Sequence, residues 1–267
     1  MAGGIGKMNR FFGFVFGLGT QALFAVTIWC LFWFLKGPSL QDIQPSPLGL
    51  ITALSIDALL AISFAVPHSI LLIPSVRRRL VSTEFAPFYS CFYCVISCAT
   101  LLLTIFGWQS TAVIAWHWPA PIDRAITAAF AMSWAALIYS LYLTGLGWQT
   151  GWTPWLHWAR GLPQPQRQFV EQGAYRILRH PVYLSFLGLI WFTPLVTLDR
   201  AVLIAIWSTY IIVGSIIKDA RLVHFMGDTY RDYKSRVPGY PGVRFGPLGR
   251  IRPPRFTTRS AIEDERP

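Results

Sequence analysis

Arg179, His180 and Tyr183 stand around a proline in the run Gly173-Ala174-Tyr175-Arg176-Ile177-Leu178-Arg179-His180-Pro181-Val182-Tyr183. Pro181 suits the first turn of a helix, where its ring fits and its missing N–H removes no bond. A helix that opens there offers backbone N–H groups and a partial positive charge at its N-terminus. Arg179 and His180 add donors just before it, so the corner suits a carboxylate or a phosphate. Tyr183 lies one turn further in, with a ring that can stack and a hydroxyl that can hydrogen bond. Downstream, Lys218-Asp219 closes an apolar stretch, and two short helices in hairpin would return Asp219 to the membrane face that carries residue 180. Asp219 is then a candidate partner for a cation or for ligand hydroxyls. The plainer alternatives stay open: snorkelling for Arg179 and His180, and a local ion pair with Arg221 or Arg179 for Asp219.

Elsewhere the chemistry is sparser. Asp57 lies inside an apolar stretch, where an ionisable group is costly and often functional; it either faces a polar cavity or sits protonated and hydrogen bonded. His68 follows Pro67 at the end of the same stretch. It reads either as an interfacial histidine or as a residue on the acceptor side of a reaction. Cys91, Cys94 and Cys98 fall within one helical run with no histidine at ligand spacing, so they read as small residues at a helix interface. No triad or metal cluster is visible.

The elements that must carry these residues are membrane helices. Of 267 residues, 54% are hydrophobic and 13% charged, against roughly a quarter charged in soluble domains. Apolar runs of about 18 residues or more can cross ~30 Å of hydrocarbon as helices, which satisfy their own backbone. Six candidate spans follow: Phe11–Leu35, Leu48–Leu72, Tyr89–Trp108, Ala125–Leu146, Val182–Leu198 and Ala201–Ile217. The last two are short and joined only by Asp199-Arg200, which predicts a tight helical hairpin that either spans or re-enters. The run to Leu35 is too long for a secretion signal.

The net charge of +11 invites a nucleic-acid partner, but its distribution excludes one. With six spans, all 23 Lys and Arg except Lys36, Arg124 and Arg200 fall on one side. That asymmetry predicts an integral membrane protein with both termini in the cytoplasm and its basic surface against anionic headgroups. Tryptophans near the span ends fit interfacial belts. The expected organisation is all-α and polytopic: four spans over residues 1–146, then a connector, hairpin and ligand-binding region over 147–242, then a basic tail over 243–267 without fixed structure. Between Lys218 and Arg236 the pattern predicts one amphipathic helix with Leu222, Phe225, Met226, Tyr230 and Tyr233 on one face.

The run Gly173-x-Tyr175-Arg176-x-x-Arg179-His180-Pro181-x-Tyr183 is followed by an apolar hairpin, Asp219, Leu222, Gly227-Asp228-x-Tyr230-x-x-Tyr233 and Arg236-Val237-Pro238. Together they resemble the isoprenylcysteine carboxyl methyltransferase and phospholipid methyltransferase superfamily. Within it the chain is similar to the small bacterial branch that holds NnrU-like proteins and methanethiol S-methyltransferases. The motifs cover about residues 173–242, with His68-Ser69 a looser match. The resemblance implies an S-adenosyl-L-methionine-dependent methyltransferase whose cofactor lies against Tyr175, Arg179, His180, Pro181, Tyr183 and Asp219. Arg179 and His68 are the candidate catalytic residues, placed to orient an anionic acceptor. The acceptor is small or lipophilic; a thiol is preferred, with a carboxylate or amine as alternatives. Two departures stand out: Lys218 replaces the first of two adjacent acids, and Ser185 replaces a glycine. Lys218 in particular favours the rival reading, a non-enzymatic accessory protein that keeps the fold. A transporter is disfavoured because no repeated discontinuous helices are visible.

Overall fold

The computed structural model describes residues 10–41, 43–81, 85–166 and 171–251. Five helices in it are long and apolar enough to cross a membrane. They are α1 (Arg10–Lys36), α2 (Leu50–Ile70), α4 (Tyr89–Gly107), α5 (Ile122–Thr144) and α9 (Leu198–Met226). Shorter helices join them: α3 (Pro74–Leu80), α6 (Leu146–Gln149), α7 (Trp152–Arg160), α8 (Pro181–Trp191) and α10 (Asp228–Arg236). The chain divides into two compact units, one of Met1–Val170 with Val182–Ile212, the other of Glu171–Pro181 with Val213–Pro267.

The first unit is the membrane bundle. Its long helices turn large apolar side chains outward, Ile51 at 82% exposure and Phe106 at 76%. Such faces are stable only against lipid. Inward, α1 presents Gly13, Gly17, Thr20 and Thr27 and packs on α4, whose inward face carries Cys91, Cys94 and Cys98. Small residues let the backbones approach, which is how helices gain contact where no hydrophobic force acts between them. At the N-terminal end of α1, the indole of Trp155 on α7 donates to the Gly13 carbonyl at 2.9 Å. A Cβ on Gly17 would lie 2.1 Å from that indole nitrogen, so glycine is what admits α7 here. The main core gathers Leu31, Leu35, Ala61, Leu101, Phe130, Leu137, Leu189 and Leu203, with Tyr183 packed partly buried against it.

The sixth expected span, Ala201–Ile217, lies within α9, but the fifth comes out differently. Helix α8 has 11 residues, about 16 Å at 1.5 Å per residue, half the thickness of the hydrocarbon. Pro194 cannot continue its hydrogen-bond ladder, and strand β2 (Leu195–Thr197) follows. It pairs antiparallel with β1 (Ile114–His117), in the link between α4 and α5, in the register Ile114↔Thr197, Trp116↔Val196 and His117↔Leu195. The turn after α8 therefore reaches the end of the bundle where α4 stops and α5 starts, with an extended segment covering the remaining distance. The hairpin link itself is not a solvated turn. Asp199 accepts from the Trp108 indole (2.9 Å) and from the Thr111 amide (2.9 Å) and hydroxyl (2.7 Å). Arg200 donates to the carbonyls of Phe34 and Leu35 at the end of α1, a cation on the negative end of a helix. Asp57 on α2 is also fully buried, and its Oδ1 accepts from the Gln109 amide at 2.7 Å.

The second unit differs from expectation in two ways. The predicted Lys218–Arg236 helix breaks at Gly227, whose φ of +58° and ψ of −129° suit only glycine. The break turns the face: Tyr230 and Tyr233 are buried while Phe225 is 61% exposed. The ordered chain also runs further than expected, since residues 244–251, grouped with the tail in the sequence, fold into hydrogen-bonded turns. The Arg250 amide donates to the Arg244 carbonyl and the Ile251 amide to that of Lys234. Residues 252–267 lie outside the described chain.

Candidate functional site

Arg179 is the centre of the second unit. Its backbone amide donates to the Pro238 carbonyl at 2.9 Å, which fixes the arginine beside the end of α10. From there the side chain, 1% exposed, makes five bonds to four acceptors. Nε and Nη2 donate to Asp219 Oδ2 at 3.2 and 2.9 Å. Nη1 donates to the carbonyls of Val237 (2.6 Å) and Gly249 (2.7 Å), and Nη2 to that of Pro247 (3.1 Å). All five guanidinium N–H groups are therefore engaged, and the Lys234 carbonyl lies a further 3.4 Å from Nη1. The planar fork ties three segments together: the 179 corner, the α9 end with Asp219, and the 237–249 loop. Only arginine has enough donors in one rigid plane for this.

Asp219 is as fully engaged. Its Oδ1 accepts from the Tyr230 hydroxyl at 2.6 Å and lies 3.3 Å from His180 Nε2, while Lys234 Nζ stands 3.7 Å from Oδ2. The surviving acid of the Lys218-Asp219 pair thus meets a guanidinium, an ammonium, an imidazole and a phenol. Tyr175, expected against a ligand, is buried, and its carbonyl accepts from the Tyr233 hydroxyl at 2.6 Å. Tyr240 stacks over His180 with ring centroids 5.5 Å apart and a 36° tilt. Tyr240 was not singled out in the sequence, because nothing in Pro238-Gly239-Tyr240 shows that the loop folds back.

Burial sets the proton states. It lowers the His180 pKa below 6.5, against the opposing pull of Asp219, so the ring is neutral at pH 7 and Nε2 can donate to the carboxylate. Burial, then the Asp219 charge, raises the Tyr230 hydroxyl well above 10; Tyr233 is raised by burial and then by Glu171. Both phenols are protonated donors. Burial lowers Lys234, and the Asp219 charge opposes that shift.

Tyr175, Arg179, His180 and Asp219 therefore meet in one unit with α10, and Pro181 opens α8 beside them in the chain. Arg179, His180, Asp219, Tyr230 and Tyr233 are each at 0–1% exposure; the first, second and fourth meet Asp219, and Tyr233 bonds the Tyr175 carbonyl. A ligand would lie against the outside of this cluster, not among its members.

The remaining two expected residues belong to the membrane unit. Tyr183 is packed against its core. His68, in the last turn of α2, is half-buried and meets α4: Ser97 Oγ is 3.2 Å from Nδ1, and the Tyr93 hydroxyl is 3.0 Å from Nδ1 and 2.7 Å from Nε2. Neither Tyr93 nor Ser97 carries a sequence signal beyond polarity at helical spacing.

Comparison with known proteins gives one consistent picture. The chain is 28% identical to methanethiol S-methyltransferase 1 of Bradyrhizobium diazoefficiens, covering 86% of this chain and 82% of that protein. It is 27% identical to the methanethiol S-methyltransferase of Mycobacterium tuberculosis over 86% and 96% of the two chains. A third enzyme of that name, from a Pseudomonas species, is 26% identical over 84% and 88%. No family model and no solved structure matches the chain.

Proposed function

Because this chain belongs to the isoprenylcysteine carboxyl methyltransferase-like membrane methyltransferases, we propose that it moves the methyl group of S-adenosyl-L-methionine to a small thiol at the cytoplasmic surface of a bacterial inner membrane. The observation that carries this reading is the meeting of motif residues 40 positions apart in one buried polar cluster, Arg179 with Asp219. The residue types suit a sulfonium nucleotide. The ammonium of Lys234 suits its carboxylate, and the ring of Tyr240 suits its purine. The resemblance implies Tyr183, and Tyr175, His180, Pro181 and Asp219 back the proposed binding region, with the ligand against the outside of their cluster. Arg179 acts through it: with every N–H engaged inside the protein, it holds His180 and Pro181 in place.

The sulfonium, when bound, supplies a methyl group that is already activated. The protein must then align the acceptor with the S–CH₃ bond, keep water out and provide a lone pair. For a thiol that lone pair is the thiolate, and His68 is the proposed acceptor-side residue. The thiol preference follows the names of the relatives; a carboxylate or amine acceptor would use the same donor region. The inside-positive charge bias supports cytoplasmic termini.

The test is calorimetry of the detergent-purified protein with S-adenosyl-L-methionine, with mass spectrometry of labelled products from a thiol panel. Micromolar binding is expected, weakened at least tenfold in His180→Ala and Tyr183→Phe. Absence of binding up to millimolar cofactor would overturn the reading. It would support a second one, a non-enzymatic accessory protein that retains the fold. Lys218, in place of the first of two adjacent acids, favours that second reading.

A further inference from the structure

The turn that Arg179 ties down in the second unit has another face. Residues 243–251 bond their backbone inward: the Gly246 amide donates to the Arg250 carbonyl, the Arg250 amide to that of Arg244, and the Gly249 amide to that of Gly246. Gly249 admits this closure, since a Cβ there would lie 2.5 Å from the Phe245 nitrogen. The larger side chains are left outside. Phe245 is 59% exposed, Ile251 40% and Val243 36%, and Arg244 and Arg250 among them are exposed too. Phe245, Pro247, Arg250 and Ile251 line one open hollow. No acidic residue occurs from Tyr233 to Ile262, so nothing within this stretch offsets the two arginines.

The place of the turn in the fold says what meets that face. Between Arg200 and Lys218 helix α9 carries no charged residue, and about 20 residues cross the hydrocarbon, so Lys218 and Asp219 mark where α9 leaves it. The Arg179 guanidinium that bonds Asp219 also holds the carbonyls of Pro247 and Gly249. The turn therefore stands within one side chain of the headgroup layer. Aromatic and aliphatic groups interleaved with arginines suit that layer: the apolar groups bury surface at the edge of the acyl chains, and a guanidinium matches a phosphate with two parallel hydrogen bonds. A backbone already bonded within itself enters without leaving polar groups unsatisfied. We propose that residues 243–251 form a membrane-contact element for anionic phospholipid. Phe245 and Ile251 enter the boundary between headgroups and acyl chains, and Arg244 and Arg250 bind the lipid phosphates.

Each arginine close to an anionic bilayer surface is worth about fivefold in binding, so two are worth about thirtyfold. The test places the full chain in nanodiscs of phosphatidylcholine, alone or mixed with phosphatidylglycerol, and reads hydrogen exchange at the amides of Gly246, Gly249 and Arg250. Lipid bound to the closed turn should slow their exchange in the phosphatidylglycerol discs by about thirtyfold, and high salt should reverse most of that slowing. Arg244→Gln combined with Arg250→Gln should abolish the difference between the two discs and leave exchange in phosphatidylcholine unchanged. Both side chains are exposed, so the turn itself is kept. Benzoylphenylalanine in place of Phe245 should crosslink to lipid on illumination. A difference between discs of less than about threefold, or one that survives the double substitution, would overturn the proposal. Crosslinks to a copurifying protein or nucleic acid in place of lipid would overturn it too, and would assign the face to a macromolecular partner.

Discussion

Replacing Arg179 by lysine keeps the charge and isolates the geometry of the fork. Arginine makes five bonds, two to Asp219 and one each to the carbonyls of Val237, Gly249 and Pro247. An ammonium has three N–H groups, so two bonds are lost at minimum. Charge keeps the ammonium at Asp219, so the loss falls largely on the loop carbonyls. A buried acceptor left unsatisfied costs about 1–3 kcal/mol, which gives ~4 kcal/mol for two. At about 1.4 kcal/mol per tenfold, local opening of the 237–251 loop should become roughly a thousandfold more frequent. Hydrogen exchange read by mass spectrometry checks this. The amides of Tyr240, Arg250 and Ile251 are bonded to carbonyls of Leu248, Arg244 and Lys234 and should lose protection together in Arg179→Lys. Arg176→Lys, at an exposed neighbour, should leave them unchanged. A change of less than threefold at those amides in Arg179→Lys would refute the idea that the guanidinium holds the loop.

Three further outcomes follow from the same geometry. Asp219→Asn leaves a buried guanidinium without its counter-charge, so we expect a loss of about 3–5 kcal/mol, seen as a lower melting temperature of the detergent-purified protein. The His180 pKa is lowered on folding, so the unfolded chain binds its proton first. Stability of the second unit should be full above about pH 6.5 and fall as pH drops below it, by at most ~1.4 kcal/mol per pH unit; exchange measured in His180→Gln should lose that pH dependence. Gly17→Ala puts a methyl 2.1 Å from the Trp155 indole. Overpacking of this kind costs about 1–3 kcal/mol and should displace α7, which tryptophan fluorescence would report.

The membrane character and the places of α1, α2, α4 and α5 were legible in the sequence, because apolar runs of span length depend only on the solvent the side chains meet. That residues 173–181 gather polar groups at a helix start was legible for the same local reason: Pro181 starts a helix and donors precede it. What Arg179 does was not legible. Its partners lie 40 to 70 positions away, Asp219 on α9, Val237 after α10, and Pro247 and Gly249 in a stretch expected to be tail, and a guanidinium looks alike whether it meets a ligand or a carbonyl. The length of α8 was also hidden, because an apolar run does not say where Pro194 ends the helix and a strand begins. The pairing of β1 with β2 and the burial of Asp199 and Arg200 are long-range facts of the same kind. Local composition chose the solvent and the helices; which polar groups saturate one another was decided by tertiary packing, since a buried donor must find its acceptor wherever the chain returns.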